Sequence, residues 1–226
     1  MYSCILFDLD GTLTDSREGI VNSVRYALEK MNRPALTERE LNQFVGPPLQ
    51  QMFQQMCGFT PEEAIEGIAR YRERYNTIGK FENAAAPGAA ELLRELKERG
   101  YRVALASSKP EALCQFLCEH FGFAPWLDVI AGSPPQKDAE KADVIRNALH
   151  RLGVTEGDYR QVLMVGDRKY DVLGAAACGM DCVGVEFFPG AEPGELTDAG
   201  AVAVVKNVAE LREFILTHGI TKKESA

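Results

Sequence analysis

The sequence predicts an α/β fold, a doubly wound parallel sheet with an all-helical segment inserted after the first strand. Two observations support this prediction. Over most of the chain, short apolar runs alternate with amphipathic stretches of helical length, the pattern of a parallel sheet covered by helices on both faces. Between residues 15 and 80, apolar residues instead recur at helical spacing only, without a convincing strand.

The composition is that of an ordinary globular protein. The chain has 226 residues, 46% hydrophobic and 26% charged, which suits one large domain or one domain with an insertion. Its net charge of −8 argues against a nucleic-acid polymer or an anionic membrane as a partner, because both bind basic faces. No 18-residue apolar run and no signal-like start are present, so we expect a soluble cytoplasmic protein, a monomer or a homodimer.

Cysteine and histidine usage gives no indication of a zinc site. The six cysteines form no CxxC pair, and the three histidines are scattered along the chain. Buried free thiols in a reducing compartment are the simplest interpretation.

The first predicted strand ends in two carboxylates. The apolar run 4–7 is followed by Asp8 and Asp10, and Gly11 then permits a tight turn whose backbone N–H groups can cradle an anion. Ligand sites in open α/β sheets lie at the carboxyl ends of strands, and paired carboxylates suit Mg²⁺ together with a substrate phosphate. Alone, an Asp-x-Asp pair also fits a solvated turn, so the assignment depends on the rest of the chain.

The helical segment is predicted to contain four helices. Their starts are the capping box of Asp15 and Glu18, the capping box of Thr37 and Glu40, the break at Gly46-Pro47-Pro48, and the proline-led start at Thr60. The last of them runs to about Tyr75. We expect residues 15–83 to be an insertion, with 1–14 and 84–226 forming the α/β core.

Alternating helices and strands follow the insertion. The predicted strands are 101–106, 128–131, 161–165, 182–187 and 201–205, and the predicted helices are 87–100, 109–121, 138–152, 169–178 and one capped by Asn207. Gly122 and Gly153 are the expected stops of two of these helices. The tail 222–226 is expected to be frayed.

Three polar segments follow later strands and should reach the same sheet edge as Asp8. Ser107 comes after the 101–106 strand, where a hydroxyl and the N-terminus of the next helix could bind an anion. Lys141, or less favourably Lys137, follows the strand at 128–131 and could neutralise phosphate charge. Asp167 follows the strand at 161–165 and would complete a carboxylate set.

Asp171, four residues after Asp167, could hold a metal-bound water or orient the lysine. Each residue also has a simpler interpretation: Ser107 as a helix cap, Lys141 as a solvated lysine, and Asp171 as a stabiliser of its own helix N-terminus. The order of the segments, all at carboxyl ends of predicted parallel strands, favours one shared site over these separate interpretations.

These segments resemble the four motifs of haloacid-dehalogenase-like phosphatases. The matching residues are Asp8-x-Asp10-x-Thr12, Ser107, Lys141 and Gly166-Asp167-x-x-x-Asp171. The helical insertion resembles the small α-helical cap of that family. The stretches most similar to its phosphoglycolate-phosphatase branch, which includes nucleotidase-like members, are Phe7 to Ser16, Gly46-Pro47-Pro48 and Ser108-Lys109-Pro110.

The resemblance implies a Mg²⁺-dependent phosphatase for a small phosphorylated metabolite, phosphoglycolate-like or nucleotide-like. Asp8 would attack phosphorus and form an aspartyl-phosphate, Asp10 would act as acid and base, and Lys141 would stabilise the transferring group. The implied metal ligands are Asp8, Asp10, Asp167 and Asp171. The implied phosphate- and substrate-binding residues are Gly11, Thr12, Ser107, Ser108 and Lys109.

Other activities fit the same residues less well. A phosphomutase of this fold would pass the phosphoryl group to a sugar hydroxyl, and a phosphate-binding protein would keep the site without turnover. A carbon–halogen hydrolase needs no second acid, so Asp10 argues against it. The sequence is least informative about specificity, since no lysine or arginine lies between Glu40 and Ala69.

Overall fold

A computed structural model describes residues 1–134 and 140–220 of the chain. Its strands are β1 (Cys4–Phe7), β2 (Thr14–Asp15), β3 (Ala84–Ala85), β4 (Arg102–Pro110), β5 (Val129–Ser133), β6 (Val162–Gly166), β7 (Asp181–Val185) and β8 (Ala203–Val205). Six of them form one sheet in the order β5-β4-β1-β6-β7-β8, with every pair parallel. The predicted fold class is therefore confirmed, and β1 occupies the centre of the sheet.

Helices cover both faces of this sheet. They are α5 (Ala89–Glu98), α6 (Glu111–His120), α7 (Lys141–Leu152), α8 (Lys169–Ala176), α9 (Glu195–Asp198) and α10 (Val208–His218). Side chains of β1 alternate between the two resulting cores. Ile5 and Phe7 pack in the core that contains Leu93 of α5, whereas Leu6 packs in the core that contains Ile145 of α7.

The segment between β2 and β3 is helical, as predicted. It contains α1 (Arg17–Lys30), α2 (Glu38–Asn42), α3 (Leu49–Cys57) and α4 (Pro61–Tyr75), followed by a 3-10 turn at Gly79–Phe81. These helices enclose an apolar core of their own, which includes Phe44 and Phe53. The strands β2 and β3 pair antiparallel where the chain leaves the sheet and returns to it. Among the described residues, no helix has both the length and the apolar character needed to cross a membrane.

Local predictions in the helical segment were partly right. The capping box of Thr37 and Glu40 is present, and α4 begins after Thr60 as expected. The predicted box at Asp15 is wrong, because Asp15 lies in β2 and the N-cap of α1 is Ser16, which makes no side-chain capping bond. The Asp15 carboxylate instead accepts a hydrogen bond from the N–H of Arg17 at 3.2 Å.

The strand predicted at 101–106 is longer than expected. β4 continues to Pro110, where it pairs with β5 again after an irregularity in the register, so α6 begins only at Glu111. The predicted helix N-terminus directly after Ser107 is therefore wrong, and Ser107 lies on extended backbone instead. Lys137, the first residues of the helix predicted from 138, and the tail 222–226 lie outside the described residues.

Candidate active site

Four of the predicted site residues meet at the carboxyl edge of the central strands. Asp8 directly follows β1, and its N–H donates to the Val165 carbonyl of β6 at 2.9 Å. Asp167 follows β6, and the first helical residue of α7 is Lys141. All three charged side chains, and that of Asp171, are buried. The topology thus brings together residues that are more than 130 positions apart in sequence.

Lys141 is the centre of the charged cluster. Its Nζ lies 2.7 Å from Asp8 Oδ1 and 2.6 Å from Asp171 Oδ1. Burial opposes the charge of Lys141, but the carboxylates of Asp171 and Asp8 outweigh this effect, and the pKa of Lys141 is raised above its usual value. The solvated-lysine interpretation is therefore wrong.

The second oxygen of Asp171 is also engaged. Asp171 Oδ2 accepts a hydrogen bond from the backbone N–H of Arg168 at 3.0 Å. Gly166, the last residue of β6, leaves no room for a larger side chain beside Asp171, since a Cβ at this position would lie 2.2 Å from Asp171 Cγ. Asp171 is thus fixed between its own helix N-terminus and Lys141, and of its two predicted roles the lysine contact is the one observed.

The carboxylates of Asp8, Asp167 and Asp171 form a compact oxygen cluster. One oxygen from each lies within 4.8 Å of the other two. Burial raises the pKa of Asp8 to about 6, with Lys141 opposing the shift and Asp171 adding to it. Burial, reinforced by Asp171 and Asp8, also raises the pKa of Asp167 well above its usual value. One lysine does not balance three buried carboxylates, and an all-oxygen donor set of this kind fits Mg²⁺.

The loop after β1 holds Asp167 in place. Thr12 Oγ1 donates to Asp167 Oδ1 at 3.2 Å. Gly11 has a φ of +82°, and a Cβ at this position would lie 2.1 Å from Asp167 Oδ2. Gly11 is therefore required both by the turn and by the close approach of Asp167.

Backbone donors in this loop differ from those expected. The N–H of Gly11 donates to the Thr14 carbonyl at 2.7 Å, and the N–H of Thr12 donates to the Leu9 carbonyl at 3.3 Å. Both groups close the turn, so the cradle expected from them is already used within the loop. No described residue accepts a hydrogen bond from the N–H of Leu9 or Asp10, which leaves these two donors for an anion.

Asp10 is held on one side only. Its Oδ2 lies 2.8 Å from Lys109 Nζ, whereas its Oδ1 is buried and has no hydrogen-bond partner among the described residues. Lys109 Nζ also donates to the hydroxyl of Tyr75, at the end of α4, at 2.8 Å. Lys109 therefore links Asp10 to the helical segment, a contact that the sequence did not indicate.

The two serines after Ala106 have different surroundings. Ser107 is buried, and its Oγ accepts a long hydrogen bond of 3.4 Å from the N–H of Lys109. Ser108 is half-buried and lines a cavity of about 580 Å³ that lies between α3 and the α/β core. Lys141 lines the same cavity, so the cavity opens onto the charged cluster.

Arg168 is a functional candidate that the sequence analysis missed. It is buried, and its Nε contacts Glu195 at 2.9 Å while its terminal nitrogens donate to the Val45 carbonyl at 2.6 Å and to Gln43 Oε1 at 3.2 Å. It thus ties the loop that carries Asp167 to the helical segment. In the sequence, Arg168 stands out only because it lies between the motif residues Asp167 and Asp171. That position does not indicate which residues of the helical segment it contacts.

Comparison with known proteins identifies the family. The model of the haloacid dehalogenase-like hydrolases matches residues 5–185. A 5'-nucleotidase of Pseudomonas aeruginosa is 38% identical over 96% of this chain and 97% of that protein. The tyrosine-protein kinase PtkA of Mycobacterium tuberculosis is also 38% identical, over 93% of this chain and 72% of that protein.

A solved structure supports the same assignment. The crystal structure of a predicted phosphatase from Clostridium acetobutylicum superposes with a TM-score of 0.89 at 41% identity and covers 96% of this chain and 99% of that one. The resemblance inferred from the four motifs is thereby confirmed. The chain belongs to the haloacid dehalogenase-like hydrolase family, and its place is among the phosphatases of that family.

Proposed function

We propose that the chain hydrolyses small phosphomonoesters through a covalent phosphoryl group on Asp8. The observation that carries this proposal is the placement of Asp8. Its carboxylate lies at the end of the central strand, is held by Lys141 at 2.7 Å, and is followed two residues later by a buried, unpartnered oxygen of Asp10. A nucleophile, a cation beside it and an acid–base group are thus preorganised in one buried site.

In the first step, an oxygen of Asp8 forms a bond to phosphorus while the bond from phosphorus to the ester oxygen breaks. With a pKa of about 6, Asp8 is largely ionised at neutral pH and can act as a nucleophile. Lys141 orients it and neutralises charge, and Asp171 holds Lys141. Asp8, Asp167 and the Asp10 carbonyl would hold Mg²⁺, and the ion would supply the positive charge that lets a carboxylate approach a phosphate. Asp171, whose oxygens contact Lys141 and the Arg168 N–H, would complete the carboxylate cluster behind them.

Asp10 manages the protons in both steps. Its Oδ1 gives a proton to the departing ester oxygen, and in the second step it takes one from the water that attacks the phosphoryl group on Asp8. Lys109 fixes this carboxyl group through its other oxygen. The free N–H groups of Leu9 and Asp10, together with the hydroxyl of Ser107, are the proposed phosphate donors.

The helical segment, residues 15–83, acts in this proposal as a cap over the core formed by 1–14 and 84–226. Two contacts join the cap to residues beside the catalytic loops: a partly buried one from Lys109 to Tyr75, and a buried one from Arg168 to the Val45 carbonyl. With these contacts formed, the cap would cover the active site and exclude bulk water from the phosphoryl group on Asp8 until the leaving group departs.

Phosphate release by Asp8→Asn tests the proposal. The parent protein, with Mg²⁺ and with a chelator, is assayed on a panel of phosphomonoesters, and Asp143→Asn, an exposed aspartate of α7, is the matched control. We expect Asp8→Asn to lose turnover by at least about 10⁴-fold and the control to keep it. An Asp8→Asn protein that is folded and still within about tenfold of the parent would rule out the covalent route.

The same assay separates the alternatives. Transfer of the phosphoryl group to a sugar hydroxyl, with no release of inorganic phosphate, would favour a phosphomutase. Binding of phosphate by a folded parent protein that turns over no member of the panel would favour a phosphate-binding protein.

A further inference from the structure

The cavity beside α3 is where the organic part of a substrate would lie. It has a volume of about 580 Å³, within the range of small-molecule sites. Lys141 lines the cavity and contacts the nucleophilic Asp8 at 2.7 Å. Through Lys141 and Ser108 the cavity adjoins the site of Asp8, so it is the space that the ester group of a phosphate bound at Asp8 would enter in this inference.

None of the described residues that line the cavity offers a free positive charge to a second anionic group. Among the described lining residues, the charged ones are Lys141 and Glu140, and Lys141 Nζ already contacts two carboxylates. Of the nearby cations, Lys109 pairs with Asp10 and Arg168 with Glu195, whereas Lys169 Nζ lies over the Tyr170 ring, 5.6 Å from its centroid. A leaving group that carries a carboxylate or a further phosphate would therefore meet no free cation among the described lining residues to compensate for the hydration it loses, which is unfavourable.

Uncharged hydrogen-bonding groups are abundant in the same cavity. Gln50, Gln51 and Gln54 line it from α3, where their spacing places them on one face of the helix. All three are half-buried, and none makes a side-chain hydrogen bond to another described residue. Each amide offers N–H donors and a carbonyl acceptor. The edge of a heterocyclic base also carries both donors and acceptors, so the three glutamines can hydrogen-bond to it.

The wall that α8 contributes to the cavity is apolar. Tyr170 and Leu173 line it, and Leu173 is 52% exposed although it is a large aliphatic residue. An aromatic ring beside aliphatic surface suits the stacking of a flat ring system. A simple sugar or a short acid would leave this wall in contact with water.

We propose that this cavity binds the nucleoside part of a nucleoside monophosphate, with Gln50, Gln51 and Gln54 recognising the base and Tyr170 packing against it. The inference rests on the proposed phosphatase function and selects a substrate class for it. Substrates whose leaving group carries a second negative charge, such as phosphoglycolate, are disfavoured by the same surface. The relative named a 5'-nucleotidase agrees with this class, whereas the roles of the three glutamines follow from the cavity.

The test compares three substrates that differ only in the leaving group: adenosine 5'-monophosphate, ribose 5-phosphate and phosphoglycolate. Gln54→Leu and the double variant Gln51→Leu/Gln54→Leu are measured beside Gln55→Leu, an exposed glutamine of α3 that does not line the cavity. We expect kcat/KM for the nucleotide to fall about tenfold in the single variant and about a hundredfold in the double variant. Ribose 5-phosphate should change less than about twofold in both, and Gln55→Leu should match the parent.

A binding measurement separates this inference from the proposed function. Calorimetry of the same three compounds on Asp8→Asn with Mg²⁺ gives their affinities without turnover, and the Gln54→Leu change is repeated in that background. A nucleotide preference that Gln54→Leu removes supports the inference even if the parent hydrolyses nothing. Equal losses on adenosine 5'-monophosphate and ribose 5-phosphate, or a parent that prefers phosphoglycolate in both assays, would overturn it while leaving hydrolysis through Asp8 intact.

Discussion

The two ends of the active-site cleft are built differently. At the phosphate end, Asp8, Lys141, Asp171 and Asp167 are buried and hold one another, and glycines that could not carry a Cβ surround them. At the leaving-group end, the three α3 glutamines are half-buried and lack partners among the described residues. The first end belongs to the α/β core, whereas the glutamines of the second end belong to the inserted helices.

This difference shows how one fold can keep its chemistry while its substrate changes. Groups that stabilise a transition state work best when their positions are fixed before the substrate arrives, and strand ends provide such positions. Groups that select a leaving group must instead be left unsatisfied, so that the correct substrate supplies their partner. Variants at the phosphate end should therefore affect all substrates equally, and variants at the other end should not.

The largest effect outside Asp8 itself is expected for Lys141→Met. Removing the ammonium group leaves Asp8 and Asp171 without the cation that they share. Turnover should therefore fall about 10³-fold, and the factor should be the same for every substrate. Lys206→Met, at an exposed position, is the control. A loss that differs between nucleotide and sugar phosphate would contradict the separation of the two ends.

Asp167→Asn should have the next largest effect, because it removes a charge from the carboxylate cluster. We expect about a hundredfold loss of turnover and a much weaker response of the melting temperature to Mg²⁺. In the parent, Mg²⁺ at a hundredfold excess over its Kd should stabilise the fold by about 2.7 kcal/mol, and a chelator should remove this gain. An equal thermal response in parent and variant would show that Asp167 does not hold the metal.

The pH dependence of stability should show the charge imbalance of the phosphate end. Burial raises the pKa of Asp8 from 3.8 to about 6, so the folded state binds more protons than the unfolded state between these values. The Asp8 contribution to the free energy of unfolding of the metal-free protein should therefore fall as pH rises from about 4 to about 6. Urea unfolding of the parent and of Asp8→Asn across this window measures the contribution. The free energy of unfolding of the parent minus that of the variant should fall as pH rises, and a rise would contradict the prediction.

The smallest effect is expected at the rim of the cap. Arg39 pairs with Glu192 at 3.0 Å, but its side chain is 81% exposed, so solvent screens the interaction. Arg39→Ala should change kcat/KM by less than about threefold on every substrate. Arg168→Ala, which removes the buried contact to Val45, is the comparison and should cost more in the same assay.

Much of the phosphate end was predictable from sequence. The apolar run before Asp8 and the strand before Asp167 fixed where those carboxylates emerge, and parallel strands made their convergence necessary. Lys141 was predicted, with Lys137 as the less favoured alternative, because it lies in the segment after the strand at 128–131. The clearest error, the capping box at Asp15, arose because the pattern of a cap does not show that the residue pairs in β2.

Contacts between the helical segment and the core could not be predicted. Lys109 to Tyr75 and Arg168 to Val45 depend on how two separately packed units lie against each other, and no local periodicity encodes that arrangement. The same holds for the glutamines of α3, which look like ordinary polar helix residues until the cavity beside them is known. Sequence patterns thus predicted the residues of the phosphate end, whereas the residues proposed to select the leaving group could be found only from the structure.

Covalent phosphorylation of Asp8 is the central claim, and a single-turnover reaction quenched in acid tests it most directly. Peptide mass spectrometry should find one phosphoryl group on the peptide that contains Asp8. That group should form before inorganic phosphate and be removed by hydroxylamine, as expected for an acyl phosphate. Full release of inorganic phosphate with Asp8 unmodified at every time point, or a phosphoryl group on a different residue, would contradict the account.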